Sequence, residues 1–314
     1  MSMESALHAK VDVVVVSYNS EDHLRACIED LSRDDRYNVI VVDNASVDGS
    51  RESIADLRVE ILAELRNHGF SRACNKGWKQ GRAPFVLFVN PDTRIDSSAV
   101  EALVRVLEGE TTVGVAGPRI LDEEGGLMLS QFRFPRIRST LSEALYLYRL
   151  FPRRAWATET VAQSSAYVRA QDVEWLSGAC LLVRREILNV TGGFDERFFM
   201  YSEDTELCLA VRALGLRVRF EPSAVIVHVG GGSATRSSLL PVRTRSRLAY
   251  VTKNCSRSQA LAHRFGFAVE AVSHACLTRG GWAARRGYLS SLRVLVSESA
   301  SEHDPARGVS GVPA

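Results

Sequence analysis

Short apolar runs alternate with amphipathic stretches from Val11 to about Ala116. The runs Val11–Val16, Val39–Val42, Val59–Leu62, Phe85–Val89 and Val113–Ala116 are each four to six residues long and nearly free of polar positions. Such runs fit strands buried on both faces, as in a parallel sheet. Between them, apolar residues recur at helical spacing: Leu24, Cys27, Ile28 and Leu31, with Ser20 as N-cap; Ala73, Cys74, Gly77 and Trp78; Val100, Leu103, Val104 and Leu107. A short helix is expected after Ser50. The alternation predicts an α/β fold, a doubly wound and mainly parallel sheet with helices on both faces.

In such a sheet, ligands bind beyond the carboxyl ends of the strands. Three polar segments follow strands directly: Ser17-Tyr18-Asn19, Asp43-Asn44-Ala45-Ser46 and Asn90-Pro91-Asp92. Each alone is ordinary turn chemistry; their convergence on one edge points to a site. The loop after the first strand is no G-x-G-x-x-G, and the chain has no G-x-x-x-x-G-K-[ST] motif. Both absences argue against a nicotinamide-cofactor enzyme and a P-loop NTPase.

Residues 118–171 are less regular, with a basic and aromatic run, Gln131 to Arg138, and a helix face of Leu141, Leu145, Tyr148 and Phe151. Further on, Gly192-Gly193 opens an aromatic stretch containing Phe194, Phe198, Phe199 and Tyr201. The stretch ends in Glu203-Asp204. Leu207, Val211 and Leu214 then mark a helix that Gly215 stops. The two acids thus sit at a helix N-terminus, where they would at least complement its dipole. Strands are expected at Arg217–Phe220 and Ala224–Val229, the second carrying His228 before Gly230-Gly231-Gly232. Amphipathic helices should follow around 261–276 and 282–296.

The chain has 314 residues, 46% apolar and 24% charged, with a formal net charge of +2. Its distribution says more than the total: from Arg236 to Arg293 there are eleven Lys or Arg residues and one acid, Glu270. That imbalance suits a solvated basic face or an anionic partner such as a membrane surface or a phosphate-bearing acceptor. The six cysteines form no C-x-x-C pair and lie mostly in apolar patterns, as buried reduced thiols do. With acidic Glu4 and no apolar run near the start, no secretory signal is expected there. The expected organisation is a loose leader (1–9), a main domain (10–235) with an insertion at 118–171, a basic helical region (236–296) and a disordered tail (297–314).

Glu203-Asp204 with its upstream stretch, and Trp175-Leu176-Ser177-Gly178-Ala179-Cys180 before it, resemble the family 2 glycosyltransferases, especially their rhamnosyltransferase-like branch. The resemblance covers about residues 11–232. It implies a GT-A fold with a helical C-terminal appendage, and Asp204 as catalytic base with Glu203 orienting it or the acceptor. Asp43 would read the imide of uracil or thymine, and Ser17, Tyr18, Asn19, Asn44 and Ser46 would wall the nucleotide. Asn67 and Asn75 match the pattern N-x-G-F-x-x-x-x-N and would touch nucleotide or sugar. Asn90-Pro91-Asp92 stands where many relatives carry D-x-D, so Asn90 approaches the diphosphate. Asp92 and His228 become the ligands of Mg²⁺ or Mn²⁺. Trp175, Ser177, Gly178, Ala179 and Arg236 would shape the sugar and acceptor pocket.

The implied activity is inverting transfer of a sugar, L-rhamnose from dTDP-rhamnose or a sugar from a UDP donor, to a cell-surface or polyprenyl-diphosphate-linked glycan. It would take place in the cytoplasm, at the inner face of the plasma membrane, without nucleic acid. Two rivals stand beside it. A sugar nucleotidyltransferase would need a Gly-rich triphosphate loop after the first strand, which Ser17–Ser20 is not. A non-catalytic glycan- or membrane-binding protein on a transferase scaffold would be favoured by loss of Asp92 or Asp204, and both are present.

Overall fold

The computed structural model describes residues 9–230, 237–278 and 280–297. Its strands are β1 (Val11–Ser17), β2 (Tyr37–Asp43), β3 (Glu60–Ala63), β4 (Phe85–Val89), β5 (Thr93–Arg94), β6 (Val113–Leu121), β7 (Leu127–Met128), β8 (Gln131–Phe132), β9 (Gln171–Val173), β10 (Trp175–Leu176), β11 (Cys180–Arg184) and β12 (Arg217–His228). The helices are α1 (Glu21–Ser32), α2 (Phe70–Trp78), α3 (Ser97–Gly109), α4 (Ile137–Ala144), α5 (Leu147–Leu150), α6 (Arg185–Thr191), α7 (Glu203–Ala213), α8 (Leu240–Asn254), α9 (Arg257–Leu277) and α10 (Gly281–Ser297).

The main sheet runs β3-β2-β1-β4-β11-β6-β12-β5. The pairs β3/β2, β2/β1, β1/β4 and β6/β12 are parallel, while β11 lies antiparallel between β4 and β6. Period-two alternation sends Val11, Val13 and Val15 into a layer with Leu24, Ile28 and Leu31 of α1 and Val100, Leu103 and Leu107 of α3. Val14 and Val16 go to the other face, with Cys74 and Trp78 of α2 and Leu207 and Val211 of α7. Helices therefore cover both faces, as the alternation predicts. Asp12, the polar residue within the first run, is fully buried, ion-paired with Arg185 and hydrogen-bonded by the Asn38 amide at 2.8 Å.

The chain forms two compact units. Among the described residues, the first holds the sheet: residues 9–132, 164–195 and 203–230. The second comprises 133–163, 196–202, 237–278 and 280–297. Within it α9 packs on α4, α8 and α10.

Four local expectations are corrected. Ser20 precedes α1, but its hydroxyl does not cap it; Ser20 Oγ instead accepts from the Tyr18 N–H, at 3.4 Å. The two strands expected after Gly215 are one strand, β12, with a register shift between Glu221 and Val225 that absorbs the polar Pro222-Ser223 break. The helix expected from Leu141 to Phe151 is interrupted, because Tyr146 adopts a left-handed conformation (φ 58°) between α4 and α5. Finally, the basic helical region expected at 236–296 includes a helix, α8, that no apolar periodicity marked on its own. Cys27, Cys74, Cys180 and Cys208 are buried free thiols, Cys255 is half-buried and Cys276 is exposed. No described helix is long and apolar enough to cross a membrane.

Candidate active site

The carboxyl ends of β1 and β2 place Ser17 and Asp43 side by side, as register partners in the parallel ladder. Both are buried, at 0% and 1% exposure. The Ser17 hydroxyl and Asp43 Oδ2 have no hydrogen-bond partner; the nearest cation to Oδ2 is Arg51 Nε, 3.6 Å away. Two unsatisfied polar groups at adjacent strand ends are costly unless a ligand completes them. The loops around them are laced together. Asn19 and Ala45 both take positive φ. The Asn19 N–H donates to Ser46 Oγ at 3.0 Å, and the Val47 N–H donates to Asn19 Oδ1 at 2.9 Å. Tyr18 stands between Ser17 and Asn19 in the same loop.

The expected asparagines hold loops. Asn44 donates to Asn67 Oδ1 (2.9 Å) and the Gly69 carbonyl (3.2 Å), and accepts from the His68 N–H (3.0 Å). Asn67 Oδ1 also accepts from the Gly69 N–H. Asn75, buried in α2, clamps the Phe194 backbone: its amide donates to the Phe194 carbonyl (2.8 Å) and accepts from the Phe194 N–H (2.9 Å). This is why Gly193 must be glycine. At φ 88° a Cβ there would collide with Asn75 Oδ1 and the Trp78 indole nitrogen. The clamped Phe194 ring meets Phe88 edge-on at 4.8 Å.

Beyond β4, the Asn90 N–H donates to the Ala179 carbonyl at 2.9 Å. Two residues later β5 pairs with β12 and brings His228 Nε2 to 3.1 Å from Asp92 Oδ1. Burial works against the Asp92 charge, but the imidazole outweighs it and holds the carboxyl below its ordinary range. His228 Nε2 is itself buried and not aligned for any hydrogen bond. No group of three His, Cys, Asp or Glu suited to a metal occurs among the described residues. A two-ligand pair still fits a hard cation that takes its remaining oxygens from a diphosphate.

Asp204, at the first turn of α7, accepts from the Gly178 N–H at Oδ2 (2.9 Å) and from the Thr205 N–H at Oδ1 (2.7 Å). A Cβ on Gly178 would sit 3.2 Å from that of Asp204. Burial raises the Asp204 carboxyl above its ordinary range despite those donors. Glu203 is 7% exposed with Oε2 unpartnered. Burial, then the Asp204 charge, pushes it well above the ordinary range. Next to Gly178, the Ser177 N–H donates to the Ser130 carbonyl (3.0 Å) and Ala179 is buried. Trp175 stacks on Phe132 at 4.2 Å and 17°. Phe132 was missed as a site residue, although it lies in the basic and aromatic run. Arg236, and the glycines after Gly230, lie outside the described residues.

The family model described as "Glycosyl transferase family 2" matches residues 12–189, more than half of the chain. The N-acetylglucosaminyl-diphospho-decaprenol L-rhamnosyltransferase of Mycobacterium tuberculosis is 30% identical over 255 residues, 76% of this chain and 82% of that protein. The dTDP-rhamnosyl transferase RfbF of Shigella flexneri is 25% identical, with 79% of each chain covered. Among solved structures, the Pyrobaculum calidifontis mannosyltransferase PcManGT with GDP-Man and Mn²⁺ covers 95% of this chain and 77% of its own, with TM-score 0.53 and 16% identity. S. aureus TarS 1-349 with UDP-GlcNAc covers 92% and 81%, with TM-score 0.55 and 17% identity. These last two show the GT-A-like fold.

Proposed function

This chain belongs to glycosyl transferase family 2 and is a nucleotide-sugar-dependent glycosyltransferase; from that premise we propose that it transfers L-rhamnose from dTDP-rhamnose, with inversion, to a hydroxyl of a lipid-linked glycan. The activities of the rhamnosyltransferase relatives support donor and acceptor alike.

The observation that carries the donor reading is the buried Ser17 and Asp43 pair with its unsatisfied oxygens. Asp43 Oδ2 accepts the imide N–H of thymine or uracil, and the Ser17 hydroxyl donates to a base carbonyl. Tyr18, Asn19 and Ser46 wall the base and ribose, and the Asn44–Asn67 bridge holds that wall. Asn75 acts through Phe194, positioning the chain that leads towards the acids. Asn90 faces the diphosphate, and Asp92 with His228 would hold Mg²⁺ or Mn²⁺. When bound, the cation stabilises the charge that develops on the departing diphosphate.

Asp204 takes the proton from the acceptor hydroxyl as that oxygen attacks the anomeric carbon from the face opposite the leaving group. The Gly178 and Thr205 N–H groups fix the carboxylate's direction, and the raised basicity favours proton capture. Glu203, buried beside it, orients Asp204 or the acceptor. The Trp175–Phe132 stack and Ser177 to Ala179 bound the sugar pocket.

Two exposed stripes on the basic helices support attachment to an anionic membrane surface. On α9, Leu261, Phe265 and Val272 are at least half exposed; on α10, Trp282, Leu289 and Val296 recur every seventh residue, also largely exposed. Apolar stripes in a basic setting suit the lipid interface.

Thermal shift with dTDP, UDP, GDP and ADP, each with and without Mn²⁺, tests the donor reading. A metal-dependent rise confined to dTDP and UDP, abolished in Asp43→Asn, is expected. A larger response to UDP-sugars than to dTDP-rhamnose would move the donor to the UDP class. No response to any nucleotide would sink the donor site.

A further inference from the structure

The second unit contains a cavity of about 800 Å³, lined wholly by its own residues and sharing none with the donor and acid groups above. Its wall is a fixed aromatic arrangement. The Tyr146 ring stacks on His274 at 4.0 Å and 19°, and Tyr288 meets His274 at 76°. His274 Nε2 donates to the Glu143 carbonyl at 3.1 Å, which leaves Nδ1 to accept from the Tyr288 hydroxyl at 3.4 Å. Tyr146 reaches this place through a left-handed backbone (φ 58°) that breaks α4 from α5. That conformation is unfavourable for a non-glycine residue.

The charges sort into two groups. Glu270, on the lining, is already taken by the half-buried Arg247, 2.6 Å away, which also faces Glu143 at 3.5 Å. Arg149 and Arg243 have no carboxylate at ion-pair distance among the described residues. Both are exposed and both line the cavity. The Arg149 guanidinium lies 4.5 Å from the Tyr146 ring centroid and 6.0 Å from that of Tyr148. Arg243 acts on Glu159 and Glu270 at longer range, and two guanidiniums without a bonded carboxylate among the described residues match phosphate oxygens. Tyrosine rings and hydroxyls beside them match a pyranose, which offers an apolar face and hydroxyl edges.

We infer that this cavity is a binding site for a phosphate-bearing sugar, with Arg149 and Arg243 on the phosphate and Tyr146, Tyr148 and Tyr288 against the sugar. That the bound sugar phosphate is the head of the acceptor rests on the transferase reading; the binding itself does not. A polyprenyl-diphosphate glycan and a soluble sugar 1-phosphate present the same chemistry.

Isothermal titration of the full chain tests it, with N-acetylglucosamine 1-phosphate, its diphosphate on a short prenyl chain, pyrophosphate and dTDP as probes. Saturable binding of the sugar phosphates is expected, weakened at least tenfold in Arg149→Gln, Arg243→Gln and Tyr148→Ala, with the dTDP response intact. Arg149 is exposed, so its variant should fold even if Tyr148→Ala does not. At least tenfold tighter binding of the prenyl form assigns the site to lipid-linked glycan, and equal binding assigns it to the soluble form. Pyrophosphate binding as tightly as the sugar phosphates would overturn the sugar half. No saturable binding, or binding that none of the variants weakens, would overturn the proposal. Loss of only the wild-type dTDP response would count against the donor reading and leave this one standing.

Discussion

At the scale of single residues, Asp204 is held by two backbone N–H groups and yet stays more basic than an ordinary aspartate, because burial outweighs them. A general base works only when ionised. Transfer should therefore fall as pH drops through that raised pKa, with the acid limb lying above the usual aspartate range. Replacing Asp204 by Asn should lower kcat by about 10²–10⁴ and leave dTDP affinity nearly unchanged. Steady-state rates with a synthetic acceptor, beside dTDP titration, check both parts. A variant that loses donor binding as well would place Asp204 in the donor pocket rather than at the acceptor hydroxyl. The sequence made this residue legible because Glu203-Asp204 opens a periodic helix behind a long motif. It could not show that Glu203 is buried with an unpartnered Oε2, since burial depends on residues distant in the chain.

At the scale of elements, the Asn75 clamp joins α2 to a backbone segment 119 residues away. Asn75→Ala leaves a buried carbonyl and N–H unpaired, so unfolding in urea should show a loss of about 2–3 kcal/mol. A loss below the error of the fit would mean that water replaces the amide. A second element-scale feature is the acid cluster around Arg247. Burial first, then the Glu143 charge, pushes Glu159 up to about 8 against the opposing pull of Arg247 and Arg243, with Glu270 also nearby. The folded state thus binds a proton that the unfolded chain releases near pH 4.5. The stability of this unit should fall as pH rises from about 5 to 8. Glu159→Gln should flatten that slope in melts of the full chain; an unchanged slope would assign it to another group. Neither feature was legible: strand runs and turns are local signals, while these are meetings of residues far apart in sequence. The helix α8 went unmarked for a different reason. Arg243, Arg245, Arg247 and Lys253 crowd it, and its buried Leu248, Tyr250 and Val251 do not keep a clear helical period.

At the scale of the molecule, the basic C-terminal helices make the enzyme's attachment to its acceptor's surface testable. Phe265→Ser with Trp282→Ser should cut co-sedimentation with phosphatidylglycerol vesicles at least fivefold, consistent with about 1–2 kcal/mol of lost apolar burial. Binding to neutral vesicles that equals binding to anionic ones would remove the basic residues from the argument. The fold was readable at this scale because the first five apolar runs lie in chain order. The short strands β5 and β7–β10 were beyond it, and so was the central strand β11. β11, residues 180–184, inserts between β4 and β6, which were made long before it. While the ribosome is adding the residues between β6 and β11, both older strands wait with an open, apolar edge on the emerging chain. Such edges invite pairing with other chains. Production of this protein should therefore depend on holdase chaperones during that interval, and truncations ending before residue 180 should be found in inclusion bodies.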